Sequence, residues 1–353
     1  MVRQRATVEQ MPAYVQGKSV PNAVKLSSNE NPYPPLESVA EVLREGLAGI
    51  NLYPDMSASA LIARLAEHLE VRPEELAVGA GSVEVAGQLI NASADEGDEV
   101  IFAWRSFEAY PILSRIAGAV PVQVPLTADE RHDLPAMAAA VTDRTRLILL
   151  CTPNNPTGPT IHREELEEFL AAVPKDVLVV IDEAYTQFDR DERSVDGLDF
   201  FRRHENVAVL HTFSKAYGLA GLRIGYAVAP ERVAANLRRV ALPFGVSALA
   251  QHAAIASLDA QAELDERVDR IVRERDRLVA ALSEQGWRLP ESQGNFVWLR
   301  AGERTAEIDA ALREHGVVAR AFIGEGLRVT IGSPEMNDRF LAAIASVEPV
   351  AAV

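Results

Sequence analysis

The chain has 353 residues, 48% of them hydrophobic and 24% charged, a balance that fits a soluble globular protein and excludes disordered and fibrous classes. That length exceeds one ordinary core, so a large domain with a smaller companion is expected. A formal charge of −16, from 51 acidic and 35 basic side chains, sets the chain against nucleic acid and anionic membranes as partners, and the single Cys151 allows no internal disulfide and no structural zinc cluster.

Residues 1–25 contain Arg3, Arg5, Glu9 and Gln10 but no apolar run long enough for a signal peptide, and no later stretch approaches the ~20 apolar residues of a membrane span. A cytoplasmic protein is expected. Through Asn29 the chain shows no helical period, and residues 1–29 read as an arm packing on the smaller domain or on a neighbouring subunit. Apolar residues at three and four spacing predict helices over 36–48 and 59–68. A short strand at 76–78 then ends in Gly79-Ala80-Gly81-Ser82, a strand-to-helix turn leading into a helix over 83–92.

Short β-rich runs follow at 99–103, 120–125, 147–151, 177–181, 207–212 and 224–228, separated by helical segments. Continuous runs such as Leu147-Ile148-Leu149-Leu150 suit strands covered on both faces, as in a mostly parallel sheet flanked by helices. This is α/β architecture, with the large domain at 30–242. From 243 onward a long helical stretch over 248–258 and 263–284, strands at 296–299 and 327–331, and helices at 306–315 and 337–347 predict a smaller α+β domain.

The strongest chemical signal is Thr212-Phe213-Ser214-Lys215-Ala216-Tyr217-Gly218, followed by Arg223. A lysine closing a buried β-run is badly placed for a solvated cation. Desolvation favours its neutral amine, which forms an imine with an aldehyde, and the nearby hydroxyls with Arg223 suit a phosphate. An isolated lysine of this kind more often snorkels from a strand end. Three further segments tip the balance toward a phosphorylated aldehyde cofactor.

Pro153-Asn154-Asn155-Pro156-Thr157-Gly158 sits at a strand's carboxyl end, where open α/β sheets place their sites, and Asn155 can donate to a phenolate oxygen; alone, the hexapeptide is a string of turn formers. Val180-Ile181-Asp182-Glu183-Ala184-Tyr185 ends a buried strand in acid: Asp182 suits a protonated pyridine nitrogen, and Tyr185 the phenolate beside Asn155. The competing magnesium-binding reading lacks any GxxxxGK[ST] loop. Gly79-Ala80-Gly81-Ser82 offers helix N-terminal N–H groups and a hydroxyl to a phosphate, a weak signal by itself.

Together these segments resemble the fold-type I pyridoxal 5′-phosphate (PLP) dependent aminotransferases, and specifically the histidinol-phosphate aminotransferase family, over nearly the whole chain from Lys25-Leu26-Ser27-Ser28-Asn29-Glu30-Asn31-Pro32 to Leu327-Arg328-Val329-Thr330-Ile331-Gly332. The resemblance implies a large domain built on a mostly parallel seven-stranded sheet. By it, Lys215 carries the cofactor as a Schiff base and shuttles protons, Asp182 pairs with the pyridine nitrogen, and Asn155 and Tyr185 hold the ring oxygen. Ser82, Val83 through its backbone, Thr212 or Ser214, and Arg223 bind the phosphate. Phe107 falls where the family stacks an aromatic ring, commonly a tyrosine, on the cofactor. Tyr53, in Leu52-Tyr53-Pro54-Asp55, matches a tyrosine that crosses to the neighbouring subunit's cofactor, implying a homodimer. Arg328 matches the arginine gripping the substrate α-carboxylate, and Arg320 a second arginine near the substrate, although the segment between them is short for the family. Asn29 and Tyr14 of the arm fall near the substrate.

The resemblance further implies ping-pong amino transfer between an amino acid and a 2-oxo acid such as 2-oxoglutarate, with no metal. Trp104-Arg105-Ser106-Phe107-Glu108, Val240-Ala241-Leu242-Pro243-Phe244 and Ser292-Gln293-Gly294-Asn295-Phe296-Val297-Trp298 are most similar to the actinobacterial aromatic amino acid (phenylalanine) branch. The alternatives are a histidinol-phosphate aminotransferase, a decarboxylase of the threonine-phosphate type, and a non-catalytic binding or regulatory protein of the same fold. The last is expected to lose Lys215 or Asp182, and both are present.

Overall fold

The computed structural model of the protein describes residues 2, 4–9, 11 and 22–350. In chain order its strands are β1 (Val24–Leu26), β2 (Leu76–Gly79), β3 (Glu99–Trp104), β4 (Val120–Pro125), β5 (Thr145–Cys151), β6 (Leu178–Asp182), β7 (Val207–Thr212), β8 (Gly225–Val228), β9 (Phe296–Arg300), β10 (Val317–Phe322) and β11 (Gly326–Thr330). They form a seven-stranded sheet of order β2-β8-β7-β6-β5-β3-β4 and a four-stranded sheet of order β1-β10-β11-β9. In the larger sheet β8 runs antiparallel to both β2 and β7, and the remaining neighbours are parallel. This is the α/β, mostly parallel arrangement expected from the apolar runs.

Successive residues of the central strands enter different apolar layers. Val100, Phe102, Leu147, Leu149 and Val180 pack beneath helices Ser82–Ser93, Ala109–Ala117 and Glu231–Val240. Ile101, Ile148, Leu150, Val179 and Ile181 pack with Leu166, Phe169 and Leu170 of helix Arg163–Ala172. Both faces are therefore dry, which is why these strands read as continuous apolar runs rather than as alternating ones. Each such side chain contributes about 1.5–3 kcal/mol by leaving water, and the sheet is the rigid frame from which the loops project.

The register brings the chemistry-bearing loops to one edge. Cys151 of β5 pairs with Asp182 of β6, so the loop carrying Asn155 leaves the sheet beside Asp182. Thr212, three residues before Lys215, pairs with Gly225, which also pairs with Gly79 just before the Gly81–Ser82 turn. A Cβ at Gly225 would run into the Ser82 backbone nitrogen, so only glycine lets β8 begin this close to the turn.

In the smaller sheet β1 is parallel to β10, while β10 and β11 form an antiparallel hairpin in which Arg320 is directly opposite Arg328. The short segment between the two arginines is the tip of this hairpin, with the turn at residues 323–325. Strands β1 and β10 go beyond the sequence expectation: three residues are too few for β1 to show a period, and β10 carries a mixed pattern around Arg320. The first long helix spans Glu37–Gly46 and tightens into a 3-10 turn at Leu47–Gly49. Among the described residues no helix is long and apolar enough to cross a membrane, and no group of three His, Cys, Asp or Glu is placed to hold a metal ion.

Candidate active site

A cavity of about 270 Å³ opens at the carboxyl edge of the large sheet, between it and the β10–β11 hairpin. Twelve of the residues singled out in the sequence line it: Ser82, Val83, Phe107, Asn155, Asp182, Tyr185, Thr212, Ser214, Lys215, Arg223, Arg320 and Arg328. Four cations, Lys215, Arg223, Arg320 and Arg328, meet three acids there, Glu30, Glu108 and Asp182. In a chain of net charge −16 the cavity is thus locally far less negative than the whole, with basic groups available to an anion.

The Lys215 ammonium group reaches the backbone carbonyl of Ser28 at 3.2 Å and lies 5.7 Å from the centre of the Tyr185 ring. Burial, reinforced by the charge of Arg328, lowers its pKa to about 7, so a large share is neutral amine at neutral pH. Asp182 closes β6, its Oδ2 accepting the Tyr110 hydroxyl at 2.5 Å and its Oδ1 the Ala184 N–H at 3.2 Å. Burial raises this carboxyl to about 6, against the pull of both hydrogen bonds. Burial also pushes the Tyr185 phenol upward, keeping it a protonated donor.

Asn155 is fixed from the hairpin side: Arg328 donates through Nη1 to its Oδ1 at 2.5 Å and through Nη2 to the carbonyl of Ser27 at 2.7 Å. Its neighbour Asn154 organises the loop. Asn154 Oδ1 accepts from Ser106 at 2.8 Å and meets His132 Nε2 at 3.2 Å, while its Nδ2 donates to Thr157 Oγ1 at 2.8 Å and to the carbonyl of Arg105 at 3.1 Å. On the opposite wall Gly81, at φ 82°, caps helix Ser82–Ser93. The first N–H groups of a helix have no acceptor within it, which makes this turn an anion cradle. Arg223 flanks it, donating to Ser214 Oγ at 3.4 Å and to the carbonyl of Ala220 at 2.9 Å, and a Cβ at Gly81 would strike its guanidinium.

The remaining predicted residues lie elsewhere. Asn29 is buried behind Tyr185 rather than in the cavity wall: its Nδ2 donates to the Tyr185 hydroxyl at 3.0 Å and its Oδ1 accepts from Thr330 at 3.1 Å. Tyr53 is 83% exposed and packs its ring on Phe244 with centroids 4.7 Å apart. Tyr14 falls outside the described residues. Sequence reasoning missed Tyr110, Asn154, His132 and Glu108. Asn154 stood in plain view inside the Pro-Asn-Asn-Pro loop, but nothing local marks Tyr110, which reaches Asp182 across 72 positions. Glu108 accepts from Arg320 Nη2 at 2.8 Å and from its Nε at 3.2 Å.

Comparison with known proteins agrees with this geometry. The aromatic amino acid aminotransferase of Streptomyces avermitilis is 58% identical over 341 residues, covering 96% of this chain and 95% of that protein. Its namesake in Streptomyces coelicolor is 59% identical with the same coverage. Among solved structures, histidinol-phosphate aminotransferase from Sinorhizobium meliloti in complex with pyridoxal 5′-phosphate superposes with a TM-score of 0.88 at 27% identity, over 98% of both chains. A Thermus thermophilus aspartate aminotransferase mutant superposes with a TM-score of 0.85 at 26% identity, over 98% of this chain and all of that one. Matching the description "Aminotransferase class I and II" over residues 21–344, and with relatives of more than half identity along nearly its full length, the chain belongs to the class I and II aminotransferases.

Proposed function

We propose that the protein is an aromatic amino acid aminotransferase that uses PLP and passes an amino group from phenylalanine, tyrosine or tryptophan to a 2-oxo acid such as 2-oxoglutarate. The observation that carries this reading is the placement of Lys215, a desolvated amine facing one cavity with Asp182, Asn155, Tyr185, Arg223 and Arg328. When bound, PLP supplies an aldehyde for reversible carbon–nitrogen exchange and a pyridine ring that takes up electron density.

The residues fit that group. The Ser82–Val83 turn, Thr212, Ser214 and Arg223 make a phosphate cradle, and Gly81 leaves the room that Arg223 occupies. Asp182 would hold the ring nitrogen and Phe107 would stack on the ring. With Asn155 Oδ1 taken by Arg328, its amide nitrogen is the remaining donor for the ring oxygen, beside the Tyr185 hydroxyl, which Asn29 orients. Arg328, already bonded to Asn155 Oδ1 and the Ser27 carbonyl, is the guanidinium that would meet the α-carboxylate. Lys215, as neutral amine, would take the proton from the substrate α-carbon and deliver it to the cofactor's aldehyde carbon, two bonds away across the amino nitrogen.

Substrate choice follows from Arg320. Glu108 holds its guanidinium through two nitrogens, and the aromatic ring of Phe322 lines the cavity beside them. A phosphate would have to compete with Glu108 for this arginine, whereas an uncharged aromatic side chain leaves the pair intact. Phenylalanine is therefore expected to react with kcat/KM about 10²-fold higher than histidinol phosphate, the size of effect that one competing charged contact supports. Steady-state comparison of the two donors with 2-oxoglutarate checks it, and the reverse preference moves the protein to the histidinol-phosphate activity.

The same reading divides the chain into an arm at 1–29, a large domain at 30–242 and a small domain at 243–353, in the cytoplasm, and makes it a homodimer with Tyr53 reaching the neighbouring cavity. Exposed Ile50, Leu52, Met56 and Leu242, with Tyr53 packed at a tilt on Phe244, supply an apolar surface for that contact. Sedimentation at micromolar concentration is expected to give twice the 38.4 kDa chain mass; a monomer removes the shared-site reading.

A further inference from the structure

We infer that Tyr110 is a positioning residue whose phenol holds the Asp182 carboxyl as a weak base, so that the shared proton stays on the cofactor's ring nitrogen. This rests on the reading that Asp182 pairs with that nitrogen. Tyr110 is fully buried near the start of helix Ala109–Ala117, beneath the sheet and outside the cavity wall. Its hydroxyl donates to Asp182 Oδ2 at 2.5 Å. The ring cannot swing away: Phe102 lies 5.6 Å from it and Phe107 meets it edge-on at 5.5 Å, linking it to the residue expected against the cofactor.

A buried phenol needs an acceptor, and satisfying that need is the structural explanation of the bond. The identity of the acceptor makes it more than that. The groups around Asp182 are Tyr110, Cys151, Glu183, Tyr185 and Lys215. Burial drives Glu183 up to about 8 and raises the Cys151 thiol and both phenols, so all four are neutral near pH 7. Among the described residues Tyr110, besides the backbone N–H of Ala184, is the group that hydrogen-bonds this carboxyl directly, and it opposes the burial that pulls Asp182 toward its protonated form. Without the phenol the carboxylate becomes more basic, and a proton shared with a pyridine nitrogen moves toward the carboxyl oxygen. The ring then draws electrons less strongly, although nothing touching the ring has changed.

The test is the nitrogen resonance of ring-¹⁵N-labelled PLP bound to the full-length protein. Tyr110→Phe keeps the ring and loses the donor: the resonance is expected to move from the protonated toward the unprotonated position, with cofactor affinity about tenfold weaker, as for loss of one hydrogen bond to a charged group. Difluorotyrosine placed at 110, a more acidic phenol of nearly the same shape, is expected to move it the opposite way. Asp182→Asn is the reference. If that reference shifts the resonance while both changes at 110 leave it in place, Tyr110 serves packing alone and the inference fails. If Asp182→Asn also leaves it in place, the pairing of Asp182 with the ring nitrogen is itself wrong.

Discussion

Lys215→Ala is expected to abolish amino transfer, lowering kcat by about 10⁴-fold, because the variant loses both the amine that captures the cofactor and the base that moves the α-proton. The same substitution should not destabilise the fold. The folded-state pKa of Lys215 is lowered to about 7, from an ordinary value of 10.5. Between those two values the unfolded chain binds more protons than the native one, so this residue disfavours folding. Its penalty is fully present below about pH 7 and disappears above about pH 10.5. At pH 7 the alanine variant without cofactor should therefore unfold at the same temperature as the parent or higher, in the manner of active sites that trade stability for reactivity. Calorimetry and a transamination assay on one preparation check both halves; lost activity accompanied by a lower unfolding temperature would make Lys215 a structural residue. The amine also sets a pH dependence: the rate of cofactor capture by the cofactor-free protein should fall about tenfold per pH unit below about 7 and level off above it.

Arg328→Ala should leave cofactor binding nearly intact and lower kcat/KM for phenylalanine by about 10²- to 10³-fold, the cost of deleting a buried, bidentate carboxylate partner. Part of the loss is indirect, since Arg328 also fixes Asn155 and ties the hairpin to Ser27. Arg328→Lys keeps the charge without the fork and should recover little of it. An intact kcat/KM in Arg328→Ala, with cofactor bound, would assign the carboxylate to another group.

How far the site was legible depended on whether its parts announced themselves locally. Asp182 closes, and Lys215 and Asn155 follow, strands buried on both faces, and such strands show as unbroken apolar runs; parallel pairing then obliges their carboxyl ends to meet. Arg320 and Arg328 could be matched to a family, but their cross-strand pairing belongs to a hairpin, and β10 carries too mixed a pattern to announce itself as its first strand. Asn29 was placed near the substrate on resemblance. The geometry puts it behind Tyr185, because its partners Tyr185 and Thr330 come from the two different sheets' loops and strands. Tyr110, Glu108 and His132 act through long-range partners, and no spacing within one segment predicts which carboxyl or amide a side chain will meet across the fold.

The measurement that bears most directly on amino transfer from an aromatic donor is the half-reaction. Protein carrying PLP is mixed with a stoichiometric amount of L-phenylalanine and no 2-oxo acid, and the cofactor's absorbance is followed together with the phenylpyruvate released. Ping-pong transfer predicts conversion of the bound cofactor to its amine form with one phenylpyruvate per active site, restored by 2-oxoglutarate and absent in Lys215→Ala. Unchanged absorbance and no phenylpyruvate would contradict it.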